Sequence, residues 1–269
     1  MDGKPNATSL RTGKDKLGSS DLHYEAIGQG QAIVFLHPVG LDGSFWRPVA
    51  LALAERFRSY MIDLPGHGSS PHSERTSIFD YADAVHDLMT TLGLRKAAIV
   101  GLSFGGMIAQ CLAVAYPDDV GKLILCGCPA SFADENRSAI AMRGSRALEG
   151  GMANVADETL SRWFSADFIA RGLAGAVRDR LLSDDPRAWA SAWAAISKLD
   201  NSSAVSSLDV STVCIAGEMD VAVPPAMVEK LAACIPGATF RLLPGASHMM
   251  HIESFAVFTA SLDELLSIP

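Results

Sequence analysis

The 269-residue sequence has no run of roughly 18–20 uninterrupted apolar residues, the length a membrane-crossing helix needs. Its first 21 residues scatter Lys4, Arg11, Lys14 and Lys16 among Gly, Ser, Thr and Asn, without the apolar segment of a secretion signal. We therefore expect a mobile arm over residues 1–21, a cytoplasmic protein and no membrane partner. Basic residues are in the minority: 22 Lys and Arg face 30 Asp and Glu, a net charge of −8, which argues against nucleic acid as a partner. The five cysteines are odd in number, form no C-x-x-C pair, and place Cys126 and Cys128 too close for an ordinary disulfide. That pattern excludes a disulfide framework and a zinc site and fits a reducing compartment. There is no internal repeat and no low-complexity tract. What remains is 49% hydrophobic and 19% charged, the balance of a globular chain with a full core.

Short β-branched runs alternate with longer helical patterns. Residues 32–36, 60–63, 97–100, 122–126, 212–216 and 239–243 read as buried strands ended by turns. Residues 78–92, with Ser77 as N-cap, and 107–115, stopped before Pro117, read as helices. Such alternation predicts an α/β fold, a mostly parallel central sheet flanked by helices. It breaks between Pro129 and Leu208, where helical patterns carry three of the four tryptophans, Trp163, Trp189 and Trp193. The expected organisation is a core over 22–129 and 209–269, with a helical cap, or lid, over 130–208.

The residues that carry chemistry sit at the ends of these strands. Gly101-Leu102-Ser103-Phe104-Gly105-Gly106 lies between a strand and a helix, the setting of a nucleophile elbow. Ser103 must occupy a sharp turn, and side chains at 101 and 105 would strike neighbouring backbone. A serine nucleophile needs a base and an acid that orients the base. Downstream of Ser103 the histidines are His248, in the loop after the last strand, and His251; His248 is the expected base and His251 the alternative. Asp220, after the strand 212–216, is the expected acid, with Glu218 as its competitor. The oxyanion needs two backbone N–H donors. Phe104 supplies one; Pro38 has no N–H, so Val39 supplies the other. His37 and His67 read as residues that tie loops.

These positions resemble the alpha/beta-hydrolase superfamily from about Leu22 to the C-terminus, through His37-Pro38-Val39-Gly40, residues 63–69, 101–106, 217–220 and 245–248. Serine at the elbow separates the chain from branches that carry aspartate there. Gly151-Met152, residues 157–164, 40–46 and 125–130, and Ala246-Ser247-His248 followed by Ile252-Glu253 are similar to the 3-oxoadipate enol-lactonases. The resemblance implies a cofactor-free serine hydrolase, without a metal, acting on a small carboxylic ester or lactone, such as an acidic enol-lactone in aromatic catabolism. It also makes Trp163 an expected pocket wall. Arg143 and Arg162, among the lid arginines that include Arg137 and Arg146, are expected to clamp a substrate carboxylate. Two other readings keep the same triad: hydrolysis of a carbon–carbon or amide bond in a ring-cleavage product, and a small-ligand receptor that signals through a protein partner.

Overall fold

A computed structural model describes residues 11–14 and 21–267. The first half of the chain forms β1 (Arg11–Lys14), β2 (His23–Gly28), β3 (Gln31–Leu36), α1 (Arg47–Ala52), β4 (Phe57–Ile62), α2 (Ile78–Thr91), β5 (Ala97–Leu102), α3 (Phe104–Ala115) and β6 (Val120–Cys126). Five helices follow: α4 (Asp134–Gly150), α5 (Ala153–Trp163), α6 (Ala166–Ala170), α7 (Gly175–Leu182) and α8 (Pro186–Ser197). The chain closes with β7 (Thr212–Gly217), α9 (Pro225–Cys234), β8 (Thr239–Leu243), α10 (Met250–Glu253) and α11 (Phe255–Ser267).

The eight strands form one sheet in the order β1-β2-β4-β3-β5-β6-β7-β8. From β4 to β8 every neighbouring pair is parallel, while β2 runs antiparallel to both β1 and β4. Parallel strands are covered on both faces, so their side chains must be apolar on both. All six residues of β5 and all six of β7 are accordingly buried. Chain order reverses at β3: the chain goes from there to β4 on one side, then to β5 on the other. Such a switch point leaves a crevice beyond the carboxyl ends of the strands, where ligands of open parallel sheets bind.

Local signals explain the helices. Ser77 and Asp80 form a reciprocal capping box at the start of α2, Ser165 caps α6, and Asp185 caps α8 ahead of Pro186. The six strands expected from the sequence are present with modest differences. β4 begins at Phe57, because Phe57 and Ser59 point inward while the half-buried Arg58 and Tyr60 break the apolar run. α3 begins at Phe104, directly after the elbow. β2 has no strong apolar run, so the sequence pattern does not announce it. The arm expected over 1–21 contains β1, a four-residue strand on β2; residues 1–10 and 15–20 lie outside the described residues. Helices α4–α8 intervene between β6 and β7, as the tryptophan-bearing helical stretch suggests, with α4 packed on α8 so closely that a Cβ at Gly144 would lie 2.8 Å from Ala190 Cα. Among the described residues no helix is long and apolar enough to cross a membrane, and the five cysteines are all free.

Candidate active site

Ser103 stands between β5 and α3 with φ +54° and ψ −113°, a conformation rare for a residue with a side chain. Its amide donates to Cys126 O at 2.8 Å, which holds the turn against β6. The elbow glycines are required by close approach. A Cβ at Gly101 would lie 2.3 Å from Gly105 O, and one at Gly105 would lie 2.2 Å from Leu36 O.

Asp220 follows β7 and His248 follows β8, so both stand at the same edge as Ser103. His248 Nδ1 donates to Asp220 Oδ2 at 2.7 Å, and the two side chains are 2% and 0% exposed. The other oxygen, Asp220 Oδ1, accepts the amides of Ala222 at 2.8 Å and Val223 at 2.9 Å. This pairing leaves His248 Nε2 as the nitrogen free to accept a proton. Ser103 and His248 line one cavity; the hydrogen bond within the trio is the His248–Asp220 one.

The alternatives weighed from sequence fall elsewhere. Glu218 is exposed and accepts the Gly245 amide at 2.8 Å, away from His248. His251 is buried against Trp46, with ring centroids 4.4 Å apart, and burial together with nearby His248 lowers it from 6.5 to about 3. His37 Nδ1 donates to Pro38 O at 2.8 Å while its Nε2 accepts the Leu64 amide at 2.9 Å. It is therefore neutral, lowered by burial to about 3. His67 donates from Nδ1 to Pro65 O at 3.1 Å and is likewise lowered to about 3 by burial.

Val39 lines the cavity and Phe104 opens α3 beside Ser103. Among the described residues neither of their amides donates a hydrogen bond. The cavity, about 50 Å³, is walled by Trp163, Trp189, Trp193 and Ile196 of the inserted helices. Trp163 also lies near His248, the two ring centroids 6.5 Å apart. Arg143 and Arg162 both line it, half-buried. Arg143 lies over the Trp193 ring at 4.9 Å, and burial followed by the neighbouring Arg162 charge lowers its pKa. Neither forms an ion pair among the described residues, whereas Arg146 beside them is paired with Glu158. Arg137 faces Asp134 and does not line the cavity.

Sequence reading missed the residues that fasten the inserted helices to the core. Glu253 accepts from Ser247 Oγ at 2.5 Å, next to His248, and from the Ser165 amide at 3.1 Å. Arg180 of α7 reaches Asp42, in the loop after β3, at 2.7 Å. The Ser165–Glu253 and Arg180–Asp42 contacts have no local signature, since each joins polar residues distant in sequence that look like solvated surface.

A strained serine at a strand–helix turn, a buried histidine–carboxylate pair and a roofed cavity over the carboxyl edge of a parallel sheet define a hydrolase of the α/β class. Residues 33–260 match the alpha/beta hydrolase family, and the chain belongs to it. It is 32% identical over 253 residues to the pimeloyl-[acyl-carrier protein] methyl ester esterase of Chromobacterium violaceum, spanning 91% of this chain and 98% of that protein. To 3-oxoadipate enol-lactonase 1 of Acinetobacter baylyi it is 28% identical over 224 residues, 82% of this chain and 83% of the relative. The crystal structure of the enol-lactonase from Burkholderia xenovorans LB400 superposes with a TM-score of 0.87 at 30% identity, covering 96% of this chain and 100% of that one. The protein is a carboxylic ester hydrolase.

Proposed function

We propose that the protein hydrolyses a small ester or lactone that carries a carboxylate, an enol-lactone of the 3-oxoadipate type fitting best, through an acyl-enzyme on Ser103. The observation that carries this reading is the pair Arg143 and Arg162: two half-buried guanidinium groups in the cavity that Ser103 and His248 share, neither of them in an ion pair among the described residues, while Glu158 of the same cavity is paired with Arg146. Arg143, Arg146 and Arg162 line the cavity against the single carboxylate of Glu158, an excess of positive charge that a bound anion offsets, and a carboxylate meets a guanidinium in two parallel hydrogen bonds. In a chain of net charge −8 such a pair is not a general surface feature.

In this mechanism His248 Nε2 takes the Ser103 proton as Oγ attacks the carbonyl carbon. Asp220 holds the imidazole by its Nδ1–H and stabilises the imidazolium. The amides of Phe104 and Val39 receive the oxyanion, where preorganised donors act most strongly. Collapse of the tetrahedral adduct breaks the bond to the leaving oxygen, which His248 protonates; for an enol-lactone that oxygen becomes a ketone after tautomerisation. His248 then activates water, and hydrolysis of the acyl-enzyme restores Ser103. Residues 130–208 act as the lid over this chemistry, on the core of 22–129 and 209–269, and Trp163 walls the pocket.

A second reading is the methyl ester of a longer dicarboxylic acyl chain, favoured by the likeness to the C. violaceum esterase. The test is turnover of wild type and Ser103→Ala on freshly generated 3-oxoadipate enol-lactone, methyl pimelate, neutral lactones and p-nitrophenyl acetate. We expect preferential hydrolysis of the acidic enol-lactone, and a loss of about 10⁵–10⁶ in kcat for Ser103→Ala. Preference for methyl pimelate would select the second reading. Activity confined to neutral substrates would overturn the acidic-substrate reading. Equal activity of Ser103→Ala would overturn the mechanism.

A further inference from the structure

Arg180 does not line the cavity, yet it sits where the lid meets the loop that carries Val39. Its guanidinium lies between two carboxylates, with Nε 2.7 Å from Asp42 Oδ2 and Nη2 2.7 Å from Asp184 Oδ1, and its side chain is 14% exposed. The remaining nitrogen, Nη1, donates to Ser183 Oγ at 2.9 Å. Asp42 is also engaged on its other side: Oδ1 accepts the Ser44 amide at 2.9 Å and Ser44 Oγ at 2.5 Å. Immediately before Asp42, the Leu41 amide donates to Pro38 O at 3.2 Å and closes a four-residue turn that contains Val39. The lid presses on the same turn through apolar contacts. A Cβ at Gly40 would lie 2.6 Å from Leu181 Cδ2 and 2.7 Å from Trp189 Cζ3. An ion pair from α7 and packing from α7 and α8 therefore converge on residues 38–42.

We propose that Arg180 is a positioning residue for hydrolysis: by tying Asp42 to the lid it fixes the Val39 amide where the oxyanion forms. The inference rests on the reading of Val39 as an oxyanion donor. A donor stabilises the transition state only when it is held in place beforehand, and the turn around Gly40 has no backbone ladder to hold it. The planar fork of arginine spans two carboxylates at once, which a lysine ammonium does not reproduce.

The experiment compares the full-length wild type with Arg180→Met, Arg180→Lys, Asp42→Asn and the Arg180→Met/Asp42→Asn pair. Two quantities are read: steady-state hydrolysis of p-nitrophenyl acetate, and inhibition by phenylboronic acid, which forms a tetrahedral adduct on serine. Loss of the tie should lower kcat by about 10- to 100-fold and leave KM within about twofold. Boronate affinity should fall in step with kcat, and Arg180→Lys should recover part of the loss. The double variant should be no worse than the more impaired single one, since both remove one contact. Should Arg180→Met fail to fold, Asp42→Asn decides, because its amide oxygen still caps Ser44. Wild-type kcat in the folded variants overturns the inference, as does a lowered kcat with boronate affinity retained. A wild type inert toward every ester and lactone overturns the hydrolase reading and this inference together; an active wild type matched by its variants overturns this inference alone.

Discussion

Asp220 gives each of its oxygens a different task, and that division separates it from Glu218. Oδ1 is held by two backbone amides and Oδ2 by His248, all out of solvent, whereas Glu218 is exposed and holds only the Gly245 amide. In the proposed mechanism Asp220→Asn should reduce kcat by about 10⁴, because an amide can turn its NH₂ toward Nδ1 and favour the wrong tautomer. Glu218→Gln should remain within about threefold of wild type; kcat/KM of the two variants checks the assignment, and the reverse order would transfer the role to Glu218. Arg143→Gln tests the carboxylate clamp separately. It should raise KM for an anionic lactone by about tenfold or more while leaving p-nitrophenyl acetate nearly unchanged, and equal effects on both substrates would make Arg143 a packing residue. Ser103, Asp220 and His248 were legible in the sequence because each follows a recognisable strand within a few residues. Arg180 and Glu253 were not, since a charged residue on a helix carries no sign of a partner more than 80 positions away.

At the level of elements, the turn between α7 and α8 places Asp184 beside a cation it shares. Burial comes first among the causes that raise Asp184 from 3.8 to about 7; Arg180 opposes the rise, while Asp42 and Asp185 add to it. A group whose folded pKa lies above its unfolded value contributes stability that is complete below the unfolded pKa and is lost as pH rises through the folded one. For Asp184 that window runs from about 4 to about 7, as one arginine comes to face a second buried anion. Asp184→Asn keeps an oxygen toward Arg180 and cannot ionise. It should therefore be at least as stable as wild type above pH 7 and should flatten the decline in Tm across the window. Thermal melts of both proteins from pH 4 to pH 8 check this, and parallel Tm curves would show that Asp184 does not titrate there. Helices α2 and α8 were readable from their caps and apolar spacing. β2 was not, because an antiparallel strand near the sheet edge needs no continuous apolar run, and its place is set by pairing with β4 and by the Arg47–Glu25 ion pair at 2.7 Å.

Over the whole molecule, strand–helix alternation is enough to foresee a parallel sheet, but strand order is set by contacts that no local pattern encodes. The reversal at β3 brings the loops after β3 and β5 together, and with them Val39 and Ser103; the loops after β7 and β8 add Asp220 and His248. In the proposed mechanism the inserted helices, which line the cavity, decide how much substrate fits. The cavity, about 50 Å³, is narrowed beside Ser103 by Trp163, Trp189, Trp193 and Ile196. That leaves room for a short acyl group. Each methylene a pocket accepts or refuses changes discrimination by about 1–3 kcal/mol. Across p-nitrophenyl acetate, butyrate, hexanoate and octanoate, kcat/KM should therefore be highest for the first two and lower by about tenfold or more for octanoate. Ile196 lines the cavity from α8 without a polar role, so Ile196→Ala should move the preferred chain length up by about two carbons while leaving the acetate rate close to wild type. A profile that stays flat to octanoate in both proteins would mean that the lid opens as readily as it closes, and substrate size would then be set by lid motion rather than by the cavity walls.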